Sequence, residues 1–145
     1  GVELHQEAAR RRAARPTACR SLNTDNLQEE RKAMRSIDVQ ALEAKKIPDR
    51  QGLYQKDIVE DSLGAKHFTF HLSVMEKGGY GALHSHPHSE HLLLVVEGRI
   101  EVRNASESHV LDPGKALLIL PGEAHEVLNT HPGTSSYYVI YSPPR

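Results

Sequence analysis

Two histidines separated by a single residue, His84 and His86, stand between a glycine pair, Gly78-Gly79, and Gly98. On an extended strand, residues i and i+2 point to the same face. This spacing therefore places both imidazoles on one side of a sheet. A third donor in the following His88-Ser89-Glu90-His91 run can return to them across a tight turn. Downstream, Gly114…Leu120-Pro121-Gly122-Glu123-Ala124-His125…Asn129 offers a fourth donor on a separate strand. Neutral imidazole is the commonest protein ligand for a divalent transition metal. Four donors from separated strands predict a metal centre built between strands.

The rest of the chain supplies those strands. From Pro48 onward, short apolar runs alternate with turn signals at regular spacing, the pattern of a β-sandwich or barrel. Strands are predicted at Tyr54–Val59, His67–Met75, Gly81–His86, His91–Glu97, Arg99–Arg103, Ser108–Leu111, Ala116–Leu120, His125–Asn129 and Ser136–Ser142. Turns are predicted at Glu76-Lys77-Gly78-Gly79, Glu97-Gly98, Asp112-Pro113-Gly114 and Pro121-Gly122. In Asp-Pro-Gly, proline fixes φ and glycine permits a positive one. There is no dinucleotide fingerprint, phosphate-binding loop, nucleophile elbow or internal repeat.

Length and composition bound the answer. The chain has 145 residues, is 38% hydrophobic and carries a formal net charge of -1. That is enough for one domain with a core, and not for two. No apolar run approaches the ~18 residues of a membrane helix, and no N-terminal segment reads as a secretory signal. Cys19 is the only cysteine, so no intrachain disulfide forms, and a cytoplasmic location is expected. Residues 1–35 differ from the rest and are expected to be a helical or irregular extension, with a β domain over 36–145. Their basic excess sits in Arg10-Arg11-Arg12, Arg15 and Arg20. No aromatic residue interleaves these arginines to stack on bases, so neither nucleic acid nor membrane is expected as a partner. Asn26-Leu27-Gln28-Glu29 has the form of a helix start, and Leu27, Met34, Ile37 and Val39 give a partial helical stripe. A natural start near Met34 is also an expectation.

The two histidine stretches resemble the cupin motifs. Gly78, His84, His86 and Gly98 fall on the first motif, and Gly114, Gly122, His125 and Asn129 on the second, with the proline displaced by one to Pro121. The resemblance covers residues 50 to 142 and implies an all-β jelly-roll barrel. The usual place of the glutamate ligand, seven residues before Gly98, is held by His91, with Glu90 one residue earlier. Neighbouring strand residues face opposite sides, so one of the two faces inward. The unbroken strand leading to Gly98 favours His91, and Glu90 is the alternative. The ligand set implied is His84, His86, His91 and His125, similar to that of four-histidine cupins. Small cupins also commonly pair, which implies a homodimer.

Four neutral imidazoles leave the charge of a divalent ion uncompensated, so anionic or enolisable guests are expected. Mn, Fe or Ni would keep open positions, whereas Zn would suit a closed tetrahedral site. Two function classes follow. One is a metal-dependent oxidation of the dioxygenase kind, or an isomerisation, of a small organic molecule; the other is a non-enzymatic ligand-binding or sensor protein. The sequence identifies no catalytic base, though Glu123, Tyr137, Tyr138 and Tyr141 are candidates. His67 and His71 are expected to share one strand face, and His88 to lie near the ligands. His5, His109 and His131 read as ordinary tail or surface residues. Leu93, Val95 and Val127 share parity with His91 and His125, and are expected in the barrel wall.

Overall fold

The computed structural model describes residues 34–144. The expected helix start at Asn26 and the basic run Arg10-Arg11-Arg12 lie outside the described residues. Among those described there is no α-helix. Of the predicted helical stripe, Ile37 lies outside any helix and Val39 opens a single 3-10 turn, Val39–Ala41, capped by Asp38 Oδ1 accepting from Gln40 N–H at 3.1 Å.

Nine strands follow in order: β1 Lys45–Lys46, β2 Gln51–Val59, β3 Thr69–His84, β4 Glu90–Glu97, β5 Ile100–Arg103, β6 Ser108–Leu111, β7 Ala116–Ile119, β8 His125–Asn129 and β9 Ser135–Ser142. All pair antiparallel in a curved sheet running β6-β5-β8-β3-β9-β4-β7, with β2 on β3 and β1 on β2. The result is the nearly closed jelly-roll barrel that the alternating runs predict. Burial follows the two-residue period. On β4 the odd positions His91, Leu93 and Val95 are buried, while Leu92, Leu94 and Val96 are 39%, 39% and 45% exposed. Leu93, Val95 and Val127 join Met75, Ile100, Val102, Tyr137 and Val139 in one core, as their parity predicts.

One predicted turn is not a turn. The segment Glu76-Lys77-Gly78-Gly79 does not reverse the chain; β3 runs through it as a single strand of 16 residues. The register with β2 passes from Leu53↔Met75 to Gln51↔Tyr80, so these four residues oppose Gly52 alone. This is a large bulge, four residues against one, and glycines are what it requires. Gly78 has φ +75, and a Cβ on Gly79 would sit 2.9 Å from Glu76 O. A pair of glycines in an apolar pattern signals a bend equally well whether the chain reverses or only kinks. Past the bulge, β3 changes neighbours. Residues Thr69 to Met75 pair with β9, and residues from Tyr80 to His84 pair with β8. One strand thus spans both layers of the barrel.

The Asn and second Gly of the motifs meet through a residue neither motif contains. Ser135 is fully buried. Its hydroxyl accepts from Arg99 N–H at 2.9 Å and donates to Asn129 Oδ1 at 2.7 Å. The Asn129 amide donates to Glu76 O at 2.8 Å and Gly133 O at 2.9 Å. Gly98 packs directly on Ser135, and a Cβ there would lie 2.8 Å from Ser135 Cα at a φ of +76. Positive φ and this contact both exclude a side chain. Gly98→Ala is therefore expected to lower unfolding free energy by about 2–3 kcal/mol. Urea denaturation checks this, and an unchanged midpoint would contradict the packing described.

Candidate metal centre

The site gathers at one end of the barrel from three strands. His84 is the last residue of β3, and His125 is the first of β8; the two are direct cross-strand partners. His86 follows β3 by two residues, in the link to β4. That link is held from across the barrel end, where Gly122 N–H donates to His86 O at 2.9 Å. Gly122 adopts φ +82, which lets the Pro121-Gly122 turn present its N–H there. His91 lies on β4 opposite Tyr141 of β9. His91 is buried at 3% exposure, and Glu90 faces outward. The two-residue period thus resolves the parity question in favour of His91 as the inward residue.

The four rings form one cluster. Centroid separations are 4.9 Å for His84–His86, 4.6 Å for His84–His125, 5.1 Å for His86–His91 and 4.8 Å for His91–His125. His84, His86 and His125 each offer one ligand nitrogen, all within 4.8 Å of one another. His91 Nε2 is 3.3 Å from His125 Nε2. That separation suits two nitrogens about 2.1 Å from one ion at a near-tetrahedral angle.

Tautomers are set by the backbone. His84 Nδ1 contacts Ala82 O at 2.7 Å, and His125 Nδ1 contacts Glu123 O at 2.9 Å. A carbonyl only accepts, so each Nδ1 carries the proton and each Nε2 keeps its lone pair. Burial holds the His125 imidazole below the ordinary histidine range. Its hydrogen bond to Glu123 opposes that effect, and the Arg50 charge adds to it. The neutral, ligating form is favoured. These residues fit a divalent transition ion.

Behind the cluster lies a cavity of about 190 Å³. Its wall includes His71, Ser73, Met75, Leu93, Val127, Tyr137 and Tyr141, with Arg50 also lining it. Among the described residues, the lining contains no carboxylate. Tyr141 packs against the site, its ring 4.9 Å from His86 and 4.8 Å from His91. His71 is buried and stacks on Tyr141 at 5.8 Å. His67 is exposed, as are His88, His109 and His131; His5 lies outside the described residues. Of the candidate bases, Glu123 is exposed and contributes its carbonyl to His125, and Tyr138 pairs with Phe70 at 5.2 Å away from the cavity lining. Tyr137 and Tyr141 face inward. Arg50 was not anticipated from the sequence: it stands in an irregular link before β2, where no periodicity reveals which way a side chain points.

The fold has parallels. Residues 71–141 match the family model described as a cupin domain. Among curated proteins none matches the sequence. Solved structures do. The polyketide cyclase RemF from Streptomyces resistomycificus aligns with a TM-score of 0.69 at 20% identity, covering 75% of this chain and 79% of that one. KdgF from Halomonas sp. gives 0.62 at 21%, covering 71% and 89%. An RmlC-like cupin from Shewanella frigidimarina gives 0.63 at 23%, covering 75% and 90%. At these identities the likeness is one of fold.

Burial also pushes the Tyr137 phenol well above its ordinary value of 10.0, only partly offset by its hydrogen bond with Ser73. A raised pKa means the folded state holds its proton while the unfolded state releases it. Stability from this group is complete below pH 10 and declines above it. Stability measured across pH 9 to 12 is expected to fall, and Tyr137→Phe to flatten that decline. A decline identical in the variant would show that Tyr137 does not drive it.

Proposed function

The chain carries a small cupin domain, and we propose that it binds a divalent transition metal through His84, His86, His91 and His125 and acts on a small organic anion beside it. The observation that carries this reading is the charge of the site: clustered imidazoles, Arg50, and no carboxylate in the described lining. Mn, Fe or Ni suits the set, with Zn as a four-coordinate alternative. A bound ion supplies Lewis acidity, polarising an enol or carbonyl oxygen and templating its ligand. The protein's own part is to keep His84 and His125 in the ligating tautomer, to wall the cavity with Leu93, Val127 and Val139, and to exclude water around Tyr141. Oxidation of the dioxygenase kind or isomerisation of an enolisable anion is the reaction class this favours. That one structurally similar protein is a polyketide cyclase supports a small organic substrate.

A second reading draws on the same lining. No carboxylate base lines the described cavity, which suits a ligand-binding or sensor protein that keeps its guest unchanged. Oxygen uptake with small diketones or catechols separates the two.

The chain is further read as a homodimer. Leu92 of β4 is flanked on the outer face by Leu118 and Ile140 through direct pairing, and all three are exposed. Such a row supports a partner on this face. Sedimentation equilibrium is expected to show a dimer in the wild type and a monomer in Leu92→Lys.

Elemental analysis of untagged protein tests the metal set. His91→Ala is expected to lose most of its metal, and Glu90→Ala to match wild type. Loss in Glu90→Ala alone, or no metal in wild type, would overturn the four-histidine reading.

A further inference from the structure

Arg50 is tied to the histidine cluster by a shared acceptor. Its Nη1 donates to Ala82 O at 3.2 Å, and the same carbonyl takes the Nδ1 proton of His84 at 2.7 Å. The guanidinium is therefore one carbonyl away from a candidate metal ligand. The backbone enforces this placement. Asp49, immediately before it, adopts φ +60, a conformation uncommon outside glycine, and β2 begins one residue later at Gln51.

Among the described residues no carboxylate pairs with Arg50, and none lines the cavity it borders. A planar guanidinium matches a carboxylate through two parallel N–H bonds, which an ammonium does not. The cavity of about 190 Å³ holds the equivalent of about six waters, so its guest is small.

We propose that Arg50 is the carboxylate anchor of this cavity, and that its ligand is a small carboxylate anion with one carboxylate for the guanidinium and a second oxygen donor directed at the imidazole cluster, of the dicarboxylate or 2-oxo acid class. The second contact rests on the metal reading above; the first does not.

Isothermal titration calorimetry with malonate, on Mn(II)-loaded and on metal-stripped protein, tests it, with neutral malonamide as the control. Loaded wild type is expected to bind malonate and not malonamide. Arg50→Gln is expected to weaken malonate binding by about tenfold or more at unchanged Mn content. Arg50→Lys, which restores charge without the fork, is expected to recover part of that loss. Metal-stripped wild type is expected to bind more weakly and to show the same dependence on Arg50. Equal malonate affinity in wild type and Arg50→Gln at equal Mn content overturns the proposal and makes Arg50 a prop for the Ala82 carbonyl. Failure of loaded wild type to prefer malonate over malonamide overturns it as well. If no form retains Mn yet malonate binding still depends on Arg50, the metal reading falls and the anchor stands. Should Arg50→Gln not fold, judged by its melting curve, the Lys variant carries the comparison: affinity equal to wild type would overturn the bidentate contact.

Discussion

A single backbone hydrogen bond, Gly122 N–H to His86 O at 2.9 Å, holds together two parts of the chain that carry the site. His86 lies beyond the end of β3, where no ladder constrains it. The bond that fixes it comes from the turn leading into His125. Its net free energy is about 1 kcal/mol, small beside the barrel's core, but its effect is positional. With β3 and β8 in register at His84↔His125, one further tether is enough to bring the third imidazole to the other two. The Pro121-Gly122 turn thus orients a histidine to which it is not adjacent in sequence.

A parallel tether at the opposite end of β8 keeps that strand in place. Asn129 offers its amide to three backbone carbonyls, of Met75, Glu76 and Gly133, and its oxygen to Ser135 and to His131 N–H. A short, buried asparagine with both ends engaged resists sliding, because a one-residue slip would turn every side chain of β8 to the wrong face. His125 and Val127 point inward because Asn129 anchors the far end of the same five-residue strand.

What was legible in the sequence is what a period of two encodes. His91 inward and Glu90 outward, the barrel wall at Leu93, Val95 and Val127, and the strand at His125–Asn129 all follow from alternation. The failures share a cause. The Gly78-Gly79 bulge reads as a turn because glycine reports a bend without reporting its angle. Arg50 lies in a link with no period, and its contact with Ala82 O spans 32 residues. Ser135 carries no motif position, and its role appears only when Gly98, Arg99 and Asn129 are brought around it. Glu123 was read for its carboxylate, and the fold uses its carbonyl instead.

The continuity of β3 through its bulge joins two regions that a hairpin would have separated. The strand has His71 on the cavity wall and His84 at the rim. Neither end can detach without pulling on pairings to β2, β8 and β9. Anything bound at the rim therefore raises the free energy of opening along the whole strand by mass action. Occupancy at the mouth would register as slower amide hydrogen exchange deep in the opposite layer, with no change of shape between the two.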